Sequence, residues 1–326
     1  MAERFTFRDG ERLIRFGDGA LAEAAELLRG TGFDGYTLLT TPRAVEAAPE
    51  LAASAGLVLH VPAGKVDQIS AELLAEAGGG PLLGLGGGRV IDTTKAIAGA
   101  GEGRCAAVPT TLSGAPMTPF HRFPAGVDGA RFVRPALVLA EPGLMASQPA
   151  PQRAASAMNG LAHAMESLYT PLANPVAELA ALRAAELFGA EVPRDDPDAG
   201  DLALAALLGG YAVGTTGLAV HHALCQTLVR LCGTPHADTN AVMLPHSARL
   251  MEPRAPEAMA SLYGALGDET VAKLAARSGH TRLSMLGVEE GQLTEVVEAV
   301  MPHPGLAMTP DPPGEKELLD LLREAL

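Results

Sequence analysis

The chain has 326 residues, 48% hydrophobic and 19% charged, with 37 Gly, 25 Pro and no Trp. This is the length of two domains and the composition of a folded protein whose core is built from Ala, Leu and Val, which excludes a disordered or low-complexity chain. Acidic residues outnumber basic ones by 38 to 24, a net charge of −14, which argues against a nucleic-acid partner and leaves an anionic small molecule only where a local basic patch overrides the global field.

"MAERFTFRDGERLIRFGDGAL" lacks the apolar segment of a signal peptide, and no later run approaches a membrane span, so a cytoplasmic protein without a membrane partner is expected. Short apolar runs then alternate with helical patterns. The helical "GALAEAAELLRG" leads to "YTLLTT" (36–41), and "GLVLHV" (56–61) precedes a helix near "VDQISAELLAEAG". "PLLGLGGG" (81–88) runs into "RVIDTTKAIAGA", and "CAAVPTT" (105–111) closes the series. Strand and helix in alternation predict βαβ units and a parallel sheet. From about 150 the apolar residues fall at helical intervals, in segments separated by Pro and Gly. The boundary is placed at "EPGLMASQPAPQ", giving an α/β domain over 1–148 and an all-helical domain over 149–326. A cleft between two such domains is a usual ligand site. Cys105, Cys225 and Cys232 have no CxxC spacing and read as reduced thiols.

"GLGGGRVIDTTKA" (84–96) has the mechanics of a phosphate-binding turn. An apolar strand delivers Gly86, Gly87 and Gly88, whose bare backbone lets an anion approach N–H groups, and a helix begins at once with its positive end. The pattern is neither GxGxxG nor a P-loop. "VPTTLSGAPMTP" (108–119) leaves a second strand with the hydroxyls of Thr110, Thr111 and Ser113. Two polar loops at the carboxyl ends of parallel strands point to a dinucleotide. In "TTPRA" (40–44) the place of a ribose-gripping carboxylate is held by Thr41, with Arg43 nearby, so both NADH and NADPH are admitted.

Two helical stretches then collect polar groups. In "AMNGLAHAMESLY" (157–169), Asn159 and His163 lie one turn apart, where a divalent metal would want an anionic oxygen and Asn offers a neutral one. "LAVHHALCQTLVRLCGTPHADTNAVMLPH" (218–246) carries four of the nine histidines.

With these motifs in order, the chain resembles the iron-containing alcohol dehydrogenase family, and within it the maleylacetate reductases. The motifs are "GLGGGRVIDTTKAIA", "VPTTLSGAPMTP", "MNGLAHAMESLYTPLANP" and "GLAVHHALCQTLVRLCGTPHADTNAVMLPH". The resemblance implies a Rossmann-like α/β domain, an all-helical domain, NAD(P)H as cofactor, and a homodimer. It implies cofactor contacts from Gly86, Gly87, Gly88, Asp92, Thr110, Thr111, Ser113 and Thr41. The metal-dependent dehydrogenases of the family use one Asp and three His, at positions corresponding to Asn159, His163, His222 and His236, and a further His of theirs corresponds to Gln226. Maleylacetate reductases resemble this chain in having Asn at the first position and are understood to work without metal. No tightly bound metal is therefore expected, and any metal would fall to those four residues. The implied reaction adds a hydride to the C=C bond of an unsaturated oxo acid, with His163, His222, His236 and Asn159 as catalytic donors and His221 and Gln226 as substrate contacts. "TPFHRFPAGVDGARFVR" (118–134) adds His121, Arg122, Arg131 and Arg134 for a dicarboxylate, on an expected hairpin. Arg89, Pro116 and Gln226 depart from the family pattern. The alternatives are a metal-dependent (Fe or Zn) alcohol or aldehyde dehydrogenase, a lyase or cyclase like the dehydroquinate synthases, and a non-catalytic homologue in a specialised biosynthetic pathway.

Overall fold

A computed structural model describes residues 5–326, which divide after Ser147 into two compact units, the second being Gln148–Leu326. The first is an α/β unit. Its strands are β1 (Phe5–Asp9), β2 (Arg12–Phe16), β3 (Thr37–Thr40), β4 (Leu57–His60), β5 (Leu82–Gly86), β6 (Cys105–Pro109) and β7 (Leu137–Ala140). They form one sheet in the order β1-β2-β7-β6-β5-β3-β4, and every pairing is parallel except the β1–β2 hairpin. Its helices are α1 (Ala24–Gly30), α2 (Pro42–Ala47), α3 (Pro49–Ala53), α4 (Val66–Ala77), α5 (Gly88–Ala100) and α6 (Pro142–Met145).

The central strands are apolar without alternation because both faces are covered. On β3, Leu38 packs into the core cluster that holds Leu28, Phe33 and Leu51, while Leu39 packs into the one that holds Ile69, Val90 and Ile97. The strand order reverses at β3. The chain runs outward from it to β4 and returns on its other side to β5, so the switch point lies between the carboxyl ends of β3 and β5. An open α/β sheet binds its ligand at that crevice. The segment 118–134, expected as a hairpin, contains no strand. Its backbone polar groups are satisfied by other partners: Arg131 N–H donates to Gly99 O (2.9 Å) and Ala125 N–H to Asp67 O (2.9 Å).

The second unit is helical: α7 (Ala150–Ser167), α8 (Pro175–Glu191), α9 (Ala199–Thr216), α10 (Val220–Cys232), α11 (His236–Met251), α12 (Pro256–Leu266), α13 (Val271–Ala276), α14 (Leu293–Val300), α15 (Pro304–Ala307) and α16 (Glu315–Ala325). Starts are written in the sequence. Asn174 accepts from Ala177 N–H (3.0 Å) ahead of Pro175 at the first helical position, and Asp198 accepts from Asp201 N–H (3.0 Å). Helix α7 is buried along its whole length from Ala154 to Ser167, against α8, α9 and α11. Its approach to α9 is close: a Cβ on Gly209 would stand 2.7 Å from Gly160 O. Helices α9 and α10 meet at 101°. Among the described residues no single helix is long and apolar enough to cross a membrane.

Candidate active site

In the first unit, the β5–α5 turn and the loop after β6 lie against each other. Gly86 has φ +159°, and a Cβ there would meet Val90 Cγ2 at 2.7 Å. A Cβ on Gly87 would stand 2.9 Å from Thr111 Cγ2. Thr110 N–H donates to Gly86 O (3.0 Å), so the two loops leave the sheet together. Two observations fit a phosphate group. No side chain caps the N-terminus of α5, and the Thr111 hydroxyl oxygen is buried with no hydrogen-bond partner. Ser113 Oγ accepts from Ala115 N–H at 3.5 Å.

Asp92, expected to contact cofactor, pairs with Lys95 Nζ at 2.7 Å. The Lys95 ammonium is wholly buried and donates to Phe120 O (2.7 Å), Ala115 O (3.0 Å) and Thr118 O (3.2 Å). A buried ammonium costs several kcal/mol unless it is paired. Here its partners are the backbone of the loop after β6 and one carboxylate, so Lys95 fixes the path of that loop. At the end of β3, Thr41 caps α2 by accepting from Ala44 N–H (3.4 Å), and the exposed Arg43 reaches Ser147 O (3.3 Å).

In the second unit, α7 and α10 bring Asn159, His163 and His222 together. His222 Nε2 lies 3.1 Å from Asn159 Oδ1, and the His163 ring stacks on His222 at 4.7 Å and 10°. Glu166 on α7, fully buried, reaches His222 twice, with Oε2 2.6 Å from ring Nδ1 and Oε1 3.1 Å from the backbone N–H. His221 is the next residue of α10 and projects about 100° around the helix. Its rings and those of His222 are 5.0 Å apart and nearly perpendicular. It meets α11, where Nε2 faces Asn240 Oδ1 (2.9 Å) and Nδ1 faces Ser247 Oγ (3.0 Å). Asn240 Nδ2 in turn donates to His236 O (2.7 Å) and faces His236 Nε2 (3.3 Å). Asn240 therefore links His221 to the exposed His236 at the start of α11.

Burial lowers the pKa of both His221 and His222 from the ordinary 6.5 to about 3, reinforced for His222 by the nearby His236 and His303 and for His221 by His222 and His236, with Glu166 and Asn240 pulling His221 back up. Burial also raises the Glu166 carboxyl, opposed by the His221 ring and by the backbone N–H groups of Ala219, His222 and His221 at the start of α10.

The sequence singled out Asn159, His163 and His222 as a group, and the structure places them in one cluster. His121 and His221 were expected to touch substrate, and their ring nitrogens have other partners. His121 Nε2 accepts from Val133 N–H (3.3 Å) and Nδ1 faces Arg122 O (3.1 Å), while the ring packs edge-on to Phe123 and Phe132. His221 is fully buried with both nitrogens engaged. Arg122 is exposed, and Gln226 lies partly buried one turn beyond His222. Sequence reasoning missed Glu166, Lys95, Asn240 and His303. The signal for Glu166 was available, because it lies one turn after His163 and two turns after Asn159 on a helix with no other reason to bury a charge. His303, whose Nδ1 accepts from Gly305 N–H (3.0 Å) at the start of α15, sits in "MPHPG" without periodicity to mark it.

Among the described residues, no three His, Cys, Asp or Glu side chains are grouped to hold a metal ion. The four family positions offer three neutral imidazoles and an amide, a poor match to a divalent cation that favours an anionic ligand. Residues 153–326 match the model of the Fe-containing alcohol dehydrogenase family, C-terminal. The chain is 32% identical to the maleylacetate reductase of Sphingobium indicum, covering 90% of this chain and 86% of that protein. It is 31% identical to the maleylacetate reductase of Pseudomonas aeruginosa, over 96% and 95%. Among solved structures, the maleylacetate reductase from Agrobacterium tumefaciens superposes with a TM-score of 0.84 at 30% identity, covering 100% of this chain and 99% of that one. The family model, the relatives and the fold thus agree: the chain is an oxidoreductase that belongs to the iron-containing alcohol dehydrogenase family, grouping there with the maleylacetate reductases.

Proposed function

We propose that the chain is a metal-independent, NAD(P)H-dependent reductase of an unsaturated oxo acid, maleylacetate or a close relative. The observation that carries this reading is Asn159. It stands where a metal site needs its anion, and its carboxamide faces His222 Nε2 at 3.1 Å. In the first unit the uncapped start of α5 and the Thr111 hydroxyl suit the cofactor phosphates. No carboxylate ends β3, where Thr41 is followed closely by Arg43, so a 2′-phosphate meets no repulsion and both cofactors are accepted.

Bound reduced nicotinamide supplies the hydride. Addition to the C=C bond of an enone spreads the charge over an enolate, and this milder anion needs only N–H donors held in place. His163, His222 and His236 are the reacting imidazoles of the second unit, with Asn159 facing the His222 edge, and one of them delivers the proton that completes the product. A metal-dependent alcohol dehydrogenase keeps one point in its favour, the retention of all three imidazoles.

The test is oxidation of NADH and of NADPH with maleylacetate, with and without chelator. Turnover that chelator leaves unchanged is expected. Turnover that requires added Fe²⁺ or Zn²⁺ would favour the dehydrogenase reading.

A further inference from the structure

Helix α10 has no side-chain cap of its own: its N-cap residue is Ala219, in extended conformation. Ser, Thr, Asp or Asn at that position would satisfy the helix start for a small local change. Instead the structure brings in a carboxylate from another helix and buries it completely. Glu166 does not stop at the backbone. One oxygen takes His222 N–H at 3.1 Å and the other takes the ring Nδ1 of the same residue at 2.6 Å. A group needed only as a cap would use the first contact. The second is short, as charge-assisted bonds are, and it fixes a ring whose other nitrogen faces Asn159 and whose face is covered by His163.

We propose that Glu166 is a positioning residue that acts through His222. By accepting the Nδ1 proton it selects one tautomer and one ring orientation, leaving Nε2 as the nitrogen turned toward Asn159. The proposal rests on the functional reading only in making His222 part of the reacting pocket. It also gives Asn159 a physical reason. With the proton on Nδ1, Nε2 is bare, and the 3.1 Å contact with Asn159 is a hydrogen bond when the carboxamide is turned so that its NH₂ donates; Asp at this position could only accept. The start of α10 keeps Glu166 in place through aligned N–H groups and the positive helix end.

Two measurements test this. In ¹⁵N-histidine spectra of the wild-type protein, with the His222 signals assigned by their loss in His222→Gln, the neutral ring is expected to carry its proton on Nδ1. In Glu166→Gln the amide NH₂ donates to Nδ1, so the proton is expected to move to Nε2. There kcat for maleylacetate should fall about 100-fold or more, in line with the loss of a group that orients a histidine, while KM for the cofactor changes less than about threefold. In Glu166→Gln/His222→Gln the loss should equal that of His222→Gln alone, because a residue acting through another is non-additive with it. Neutral His222 protonated on Nε2 in the wild type, a Glu166→Gln enzyme within about twofold of wild-type kcat, or additive losses in the double variant would each overturn the proposal. Should Glu166→Gln not fold, the wild-type spectrum decides by itself. A wild type that reduces maleylacetate with neither cofactor would bring down the functional reading and leave the tautomer result to judge Glu166.

Discussion

Asn159 is a one-atom-group departure from the carboxylate that the family's metal-dependent members use, and its consequence is a matter of charge. Three imidazoles and an amide carry no negative charge to set against a divalent ion, and Glu166 is engaged by His222 and the start of α10. Asn159→Asp restores the anion, and should raise affinity for Zn²⁺ or Fe²⁺ by at least tenfold, in line with the effect of a ligand change at a metal site. Isothermal titration into chelator-stripped protein reads this directly, and equal affinities would contradict it. His221 carries the second prediction at this scale. Its pKa is lowered from 6.5 to about 3 in the folded chain, so between those values the unfolded chain holds a proton that the folded chain does not. Its contribution to stability is therefore full above pH 6.5 and is lost as pH falls toward 3. His221→Gln should flatten the slope of unfolding free energy against pH in that acid range by about 1.4 kcal/mol per pH unit, one proton's worth. Urea unfolding at several pH values, compared between variant and parent so that the global charge cancels, measures it. Parallel slopes would show that the ring titrates normally.

At the scale of elements, close approaches set the second-unit site. Helix α7 carries Asn159, His163 and Glu166, and its distance from α9 is set where Gly209 meets Gly160 O. Gly209→Ala forces the helices apart by a few tenths of an ångström and should destabilise the protein by about 1–3 kcal/mol, as overpacking does. Gly264→Ala, in α12 with nothing within 4 Å of its Cβ, should be neutral or stabilising. Denaturant midpoints of the two variants give the comparison, and similar midpoints would refute the role given to the α7–α9 contact. Much of the element order was legible because periodicity survives in single segments. The strands at 36–41, 56–61, 81–88 and 105–111 are observed as β3 to β6, the first three shorter at both ends and β6 at its carboxyl end. Strands β1, β2 and β7 escaped. In the first two, FTFRD and RLIRF, polar and charged residues break up the apolar ones on either side of Gly10, and β7 is a four-residue run behind a long irregular loop. That loop was misjudged as a hairpin because its Gly and Asp residues resemble turn chemistry. What holds it, Lys95, is a buried charge whose partners are distant carbonyls. The histidines were legible as a group, but the partner of each ring was not, since Glu166 and Asn240 reach them only through tertiary contacts between helices.

At the scale of the whole molecule, the two compact units hold different polar groups. The first supplies backbone N–H groups and hydroxyls at the switch point of a parallel sheet. The second supplies imidazoles and an amide on buried helices. A net charge of −14 makes any binding of a dicarboxylate a local achievement against the global field, so KM for an anionic substrate should fall as ionic strength rises from low values. A KM that rises with salt would place the substrate against a dominant positive patch instead. The most direct test of the central claim is the rate of NADH and NADPH oxidation with maleylacetate in protein freed of metal by a strong chelator, then supplied with Fe²⁺ or Zn²⁺. Equal turnover in all conditions is the expected result. Activity lost to the chelator and restored by either ion would contradict the claim that imidazoles and an amide do this work without a metal.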